Sequence, residues 1–198
     1  MNEFFNVPKI AYEGANSENM FAFRHYNPEE EICGKPMKEH LKFAMSWWHT
    51  LCGDGTDMFG IGTADKTFGG KTPMEVAKNK VLAGFEFMHK LGIEYFCFHD
   101  KDLAPEGNSL QEFQQNLDEI PLIKEQMEKY HIKCLWGTAN LFNHPRYTHG
   151  AGTTCNADVY CYAAAQIKKT IDITLELGGM GYVFWGGREG YETLLNTD

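Results

Sequence analysis

Short runs of aromatic and β-branched residues alternate with longer amphipathic segments from Phe43 onward, and this alternation constrains the fold more than any other feature. Four apolar runs predict strands, at Phe43–Trp48, Ile93–Phe98, Ile132–Trp136 and Tyr182–Trp185. A segment with helical periodicity separates each run from the next. Strands that alternate with helices are typical of a parallel sheet built from strand–helix units.

The first two helical segments carry recognisable start and stop signals. The first is predicted to begin after Thr72, which can cap it, with Pro73 at its first position, and to end at Gly92. The second is predicted to begin near Ser109 and to be kinked or divided by Pro121. Both signals place helices between predicted strands.

The third helix is predicted over Ala157–Leu177. Its apolar residues recur at intervals of four and are expected to form a buried stripe, made of Val159, Ala163, Ile167, Ile171 and Leu175.

The predicted fold class is α/β, and the elements amount to about the first four strands and three helices of a TIM (β/α)8 barrel, which has eight strands. Residues 1–42 lack a clean period and are expected to form an N-terminal arm that packs on the barrel or on a neighbouring subunit. Residues 43–198 are expected to form the first half of the barrel.

Composition argues against several kinds of partner. The formal net charge is −9, which repels nucleic acid and anionic lipid surfaces, so neither nucleic acid nor membrane is expected as a partner. No apolar run approaches the roughly 18 residues of a membrane span, and the first residues lack a signal-peptide pattern. The expected location is the cytoplasm, where the six cysteines, which form no CxxC pair, would be reduced.

Candidate catalytic residues follow the second predicted strand. His99 and Asp102 lie where the carboxyl end of that strand would open into a site. A carboxylate three residues from a histidine can fix its tautomer and orientation, which suits the histidine to move a proton on a sugar oxygen. The alternative is that His99 only terminates its strand with satisfied hydrogen bonds.

Candidate substrate-binding residues follow the other strands. Trp48 and Trp185 end the first and fourth strands and are candidates for apolar walls, although core or rim packing is the alternative. After the third strand, Thr138 offers a hydroxyl group and Phe142 offers another wall.

Several segments together resemble the xylose isomerases, of the class with an extended N-terminus. These segments are FAMSWWHT, TDMFG, CFHDKDLAPEG, WGTANLFNHPR and YVFWGGREGYETLLNTD, which come in the order and at the spacing of that family. The last of them is specific enough to make chance agreement implausible. The resemblance covers nearly the whole chain.

The resemblance implies a role for each candidate residue. His99 matches the histidine that binds the ring oxygen of the sugar and assists ring opening, and Asp102 matches the aspartate that orients it. Phe59 matches a phenylalanine that reaches into the site of a neighbouring subunit. The remaining matches are residues of the substrate site, namely Trp48, Thr138, Phe142 and Trp185.

The resemblance also implies cofactors and assembly. Xylose isomerases use two divalent metal ions, Mg²⁺, Mn²⁺ or Co²⁺, and are typically homotetramers. Their metal ligands lie on later strands, so the ligands are expected beyond residue 198 and no metal-binding residue is expected in this chain.

The expected function of the parent protein is therefore the interconversion of D-xylose and D-xylulose by ring opening and a metal-assisted 1,2-hydride shift, while the fragment alone is expected to be inactive. One alternative is a non-catalytic half-barrel that only assembles with a complementary half. Another is a different sugar isomerase or epimerase on the same barrel.

Overall fold

The computed structural model describes residues 3–117 and 120–190 of the chain. Residues 191–198, which end the last segment of the resemblance, lie outside the described residues. The arm contains a small antiparallel hairpin and a short helix, which are β1 (Glu31–Ile32), β2 (Lys35–Pro36) and α1 (Met37–His40).

The elements beyond the arm alternate as the sequence predicts, and the fold is mixed α/β. In chain order these elements are β3 (Ala44–Ser46), α2 (Pro73–Leu91), β4 (Tyr95–His99), α3 (Asp100–Leu103), α4 (Leu110–Asn116), α5 (Ile120–Tyr130), β5 (Lys133–Thr138), α6 (Ala157–Glu176) and β6 (Gly181–Tyr182).

Strands β3, β4, β5 and β6 form a four-stranded sheet in that order. β3 pairs with β4 in parallel, and β5 pairs with β6 in parallel. The parallel sheet predicted from the alternation of elements is therefore present. None of the described helices is both long and apolar enough to cross a membrane.

The chain divides into two compact units, of which one comprises Met1–Cys97 with Leu122–Lys133 and the other comprises Phe98–Pro121 with Cys134–Asp198. These units do not correspond to the predicted division between the N-terminal arm, residues 1–42, and the half-barrel, residues 43–198. That division stays a prediction. In the first unit, the fully buried rings of Trp47, Phe85 and Phe96 pack edge to face with centroids 5.6–6.2 Å apart. Each such aromatic pair adds about 0.5–1.5 kcal/mol to the stabilisation from burial.

Helix α2 confirms the predicted start and stop signals. The Thr72 hydroxyl accepts a hydrogen bond from the Glu75 amide at 3.2 Å, and the Glu75 carboxylate accepts one from the Thr72 amide at 3.1 Å. Gly92 follows the helix with φ at 70°, the left-handed conformation that glycine adopts without strain. Residues at each end of the helix, Thr72 with Glu75 and Gly92, therefore determine where it begins and ends.

The second helical segment is interrupted, but Pro121 does not mark the interruption. α4 begins after Ser109, whose hydroxyl accepts from the Glu112 amide at 3.1 Å, and it ends at Asn116. α5 begins at Ile120, so Pro121 lies in its first turn. Proline is tolerated there because the amide that it lacks has no partner within the helix.

The predicted stripe on α6 is wrong in part. Leu175 is exposed, whereas the buried face carries Gln166, Thr170 and Thr174 together with Ala163. Residues four apart advance by about 40° around a helix, so a strict interval of four leaves the buried face within a few steps. The polar residues are buried because they have hydrogen-bonding partners, as described below.

The first and fourth strands are shorter than predicted. β3 ends at Ser46, and Trp48 begins a π-helical turn over Trp48–Cys52. β6 has two residues, after which the Val183 amide donates to the Gly137 carbonyl at 3.0 Å. Trp185 therefore lies beyond the strand rather than at its last position.

Candidate functional site

His99 and Asp102 form a local pair at the end of β4. His99 is the last residue of the strand, and α3 begins at the next residue. The Asp102 Oδ2 atom accepts a hydrogen bond from the His99 amide at 2.7 Å and lies 3.3 Å from the His99 Nδ1 atom. Both side chains are 9% exposed. One carboxylate thus restrains both the backbone and the ring of His99.

Phe142 packs against this pair. Its ring meets the His99 imidazole edge to face, with centroids 5.6 Å apart and an interplanar angle of 77°. A Cβ atom on Gly187 would lie 2.5 Å from Cδ1 of Phe142 and 2.7 Å from Nε1 of Trp185. Glycine at 187 therefore lets the backbone approach the rings of Phe142 and Trp185 closely, and Phe142 in turn contacts His99.

Thr138, at the end of β5, is buried, and its hydroxyl donates to the Val183 carbonyl at 2.6 Å. Thr138 and Trp185 both line a cavity of about 180 Å³. Tyr182 lines the same cavity, and its hydroxyl accepts a hydrogen bond from the Ala139 amide at 3.1 Å. Burial raises the pKa of Tyr182 to about 12. The Thr138 hydroxyl proton is engaged, so toward a substrate this hydroxyl can act as an acceptor.

Trp48 and Phe59 belong to the other unit. Trp48 is half-buried in its π-helical turn, with its ring 5.7 Å from that of His49. Phe59 is 90% exposed on a loop where the Asp57 Oδ1 atom accepts hydrogen bonds from the amides of Phe59, at 2.8 Å, and Gly60, at 3.2 Å. The loop is held in shape by these bonds, although the ring itself is exposed.

The sequence pattern places Asp100 at the end of β4 but gives it no role, and it gives no role to Asn140 or Gln166 either. Asp100 is fully buried and accepts hydrogen bonds from both residues. Burial raises the pKa of the Asp100 carboxyl, while the hydrogen bonds oppose that rise. The polar residues on the buried face of α6 are the signal that reveals this network.

A second link joins the segment after β4 to the loop after β5. The Glu106 carboxylate lies 2.7 Å from Lys101 Nζ and 2.7 Å from Arg146 Nη1. The Arg146 guanidinium lies over the ring of Tyr162, 3.9 Å from its centroid. Burial alone would raise the pKa of Glu106, but the hydrogen bonds from its two cationic partners lower it below its usual value. The loop that carries Phe142 is thus also held by charge.

The described residues also bear on metal binding. Within residues 3–117 and 120–190, no group of three or more His, Cys, Asp or Glu side chains is arranged to hold a metal ion. His144 accepts a hydrogen bond from the Arg146 amide at 3.0 Å and so caps a short 3₁₀ helix over Pro145–Tyr147. This part of the chain therefore does not fit the two divalent ions that the resemblance implies.

No protein-family model matches the chain. Individual curated proteins do match it. The xylose isomerase of Listeria welshimeri is 62% identical over 199 residues, which cover all of this chain and 46% of that protein. The xylose isomerase of Tetragenococcus halophilus is 59% identical over 199 residues, with the same two shares. That of Thermotoga neapolitana is 60% identical over 201 residues, covering all of this chain and 45% of that protein.

The chain spans slightly less than half the length of the curated relatives that it matches. The matched region covers the whole chain and so includes the segments after β4 and β5 that carry the geometry described above. The chain is therefore similar to the xylose isomerases from one end of its sequence to the other.

Proposed function

We propose that the protein to which this chain belongs is an aldose–ketose isomerase that interconverts D-xylose and D-xylulose. The observation that carries the proposal is the restraint of His99 by Asp102 at the end of β4, in a chain 62% identical to a xylose isomerase. His99 assists ring opening, and Asp102 orients it.

The His99–Asp102 geometry suits proton transfer to a sugar. With the Asp102 carboxylate 3.3 Å from Nδ1, the neutral ring favours the tautomer that carries its proton on Nδ1. In that tautomer Nε2 is the basic nitrogen, which can exchange a proton with a sugar hydroxyl or ring oxygen. The Phe142 ring against the imidazole limits how far the histidine can rotate.

The remaining candidate residues bind the sugar in this proposal. Phe142 and Trp185 provide apolar walls that exclude water, supported by their common approach to Gly187. Thr138 offers a hydroxyl acceptor. Trp48 adds a further wall, and Phe59 reaches into the site of a neighbouring subunit in a homotetramer, which would cover a ring that is 90% exposed in the single chain.

The described residues supply the ring-opening half of the reaction, while two divalent ions would polarise the sugar oxygens during the hydride shift. The ligands of those ions are assigned to later strands of the protein, because the resemblance to the xylose isomerases implies that position. The 198 residues alone are therefore expected to be inactive. The parallel sheet is assigned to the first half of a TIM barrel, in a cytoplasmic enzyme.

Steady-state isomerisation of D-xylose by the full-length protein with added Mg²⁺ tests the proposal. Asp102→Asn is expected to lower kcat/KM about 100-fold, because the amide cannot hold the same tautomer of His99. Asp172→Asn, on the exposed side of α6, is the control and is expected to leave kcat/KM unchanged. A full-length protein with no aldose isomerase activity, or an Asp102→Asn variant as active as the wild type, would refute the proposed function.

A further inference from the structure

Asp100 is the most completely buried carboxylate among the described residues that surround the candidate site, and three N–H groups donate hydrogen bonds to it. Its Oδ1 atom lies 2.9 Å from the amides of both Lys101 and Asn140. Its Oδ2 atom lies 2.7 Å from Gln166 Nε2 and 3.3 Å from the Thr170 hydroxyl. That hydroxyl has one proton and lies closer to the Gln166 carbonyl, at 2.8 Å. One side chain thus joins the end of β4 to the residues after β5 and to α6.

The orientation of Gln166 is fixed by its other partners. Its side-chain nitrogen lies 3.1 Å from the Asn140 carbonyl, which can only accept, so this atom must be the amide NH₂ group. The Gln166 oxygen then faces the Tyr147 hydroxyl, which donates to it at 2.7 Å. Since Gln166 presents a donor to Asp100, the Asp100 Oδ2 atom has to accept. An amide at position 100 would place a donor against a donor.

The contact with Asn140 leads to the wall of the candidate site. Asp100 holds the Asn140 amide, and the Asn140 side-chain oxygen accepts from the Asn143 amide at 3.1 Å and from the Phe142 amide at 3.5 Å. This turn carries the Phe142 ring that packs on His99. His99 directly precedes Asp100 in the chain. Asp100 is therefore linked to both members of the His99–Phe142 contact through short chains of bonds.

We propose that Asp100 is a positioning residue that sets the place of Phe142 relative to the His99–Asp102 pair, by tying the end of β4 to the turn after β5. The proposal deepens the proposed function and rests on it. Asp100 is not proposed to touch a reacting atom. Its effect on the site is indirect and passes through the turn that begins at Asn140. A displacement of about 1 Å in such a constellation can cost about 100-fold in rate.

The test compares three variants in the full-length protein. Asp100→Asn keeps the shape but turns the Oδ2 position into a donor facing Gln166. Tyr147→Phe removes one buried hydrogen bond from the far end of the same network and leaves the Asp100–Asn140 bond intact, so it controls for general loss of stability. Gln166→Met breaks the link from α6 and serves as the second variant if Asp100→Asn does not fold.

Two readouts distinguish positioning from mere stability. For Asp100→Asn, kcat/KM for D-xylose is expected to fall at least 10-fold, while the affinity for xylitol, a pentitol with no ring to open, changes less than about threefold. Hydrogen–deuterium exchange is expected to accelerate in peptides covering 99–103 and 138–144. Tyr147→Phe is expected to change neither kcat/KM nor this local exchange by more than about threefold. Gln166→Met is expected to change both kcat/KM and the local exchange by more than Tyr147→Phe does.

Equal losses of kcat/KM in Asp100→Asn and Tyr147→Phe would overturn the proposal, as would an Asp100→Asn variant with wild-type kinetics and exchange. If the wild-type protein does not isomerise D-xylose, the proposed function fails, and the exchange readout alone decides the link. Faster exchange at 138–144 in Asp100→Asn than in Tyr147→Phe would then support the tie between β4 and the turn after β5, and equal exchange would refute it.

Discussion

The Nζ atom of Lys90 lies 3.0 Å from the Oε1 atom of Glu86, one turn earlier on α2. Both side chains are almost buried, at 11% and 12% exposure. The Glu86 carboxylate also accepts hydrogen bonds from the amides of Phe4 and Phe5, at 2.8 and 3.0 Å, and Lys90 Nζ donates to the Phe5 carbonyl. This ion pair therefore fastens the start of the arm to α2.

Replacing Glu86 with Gln is expected to release the arm. The neutral amide offers one acceptor oxygen for two backbone amides and leaves Lys90 without its buried counter-charge. We expect a loss of about 1–3 kcal/mol in unfolding free energy and faster hydrogen exchange at residues 4 and 5. Asp172→Asn is the matched control, because Lys168 and Asp172 form an exposed pair with the same spacing. It is expected to cost less than about 1 kcal/mol, and equal losses would contradict the assigned role.

The same ion pair predicts a response to acid. Burial alone would raise the pKa of Glu86, but hydrogen bonds from Phe4, Phe5 and Lys90 lower it below the ordinary value of 4.5. The contribution of Glu86 is therefore present above pH 4.5 and is lost as the pH falls through the pKa of the folded state. Urea unfolding between pH 6 and pH 3 is expected to show the wild type and Glu86→Gln converging in stability below about pH 4.5. A constant difference across this range would disagree with the prediction.

Gly137 in β5 is expected to resist any side chain. An added Cβ would clash with the Thr174 hydroxyl and lie 2.7 Å from the Phe98 ring, and both neighbours are buried. Gly137→Ala is expected to cost about 2–3 kcal/mol, because a packed interior cannot absorb an extra methyl group. Gly181→Ala, on the paired strand β6, has no atom within 4 Å of the added Cβ and is expected to change stability by less than about 0.5 kcal/mol. Denaturant unfolding measures both losses of stability. A large loss for Gly137→Ala alone would show that lack of space requires glycine at 137, whereas equal losses would point to a general effect of alanine in a strand.

Tyr182 predicts a loss of stability in alkali. Its pKa rises from 10.0 to about 12 in the folded state because it is buried. Above pH 10.0 the unfolded state loses this proton first, so stability is expected to decline as the pH rises from 10.0 toward 12. Tyr182→Phe should lose about 1–2 kcal/mol at neutral pH, because the Ala139 amide loses its acceptor, but should then decline less above pH 10. Tyr160→Phe, at an exposed tyrosine, is the control and should follow the wild type throughout.

Features that depend on nearby residues were predictable from the sequence, and features that depend on distant ones were not. The caps of α2 and the His99–Asp102 pair each join residues three positions apart. The hydrogen bond between Asp100 and Gln166 joins residues 66 positions apart, so the polar residues of α6 do not by themselves identify Asp100 as their partner. An apolar periodicity therefore located α6 correctly but misassigned part of its buried face. The roles of the individual site residues stay predictions.

The polar inner face of α6 also has a consequence for how such chains can be recombined. Gln166 and Thr170 match one particular carboxylate, and a helix from another strand–helix unit would bring hydrocarbon to the same place. The Asp100 Oδ1 atom would keep the amides of Lys101 and Asn140, but its Oδ2 atom would lose its donors in a dry interior. A buried charged group that is left partly unsatisfied is destabilising. This unit is consequently not an interchangeable module. A chimaera that swaps α6 should fold only if the strand end that supplies Asp100 moves with it.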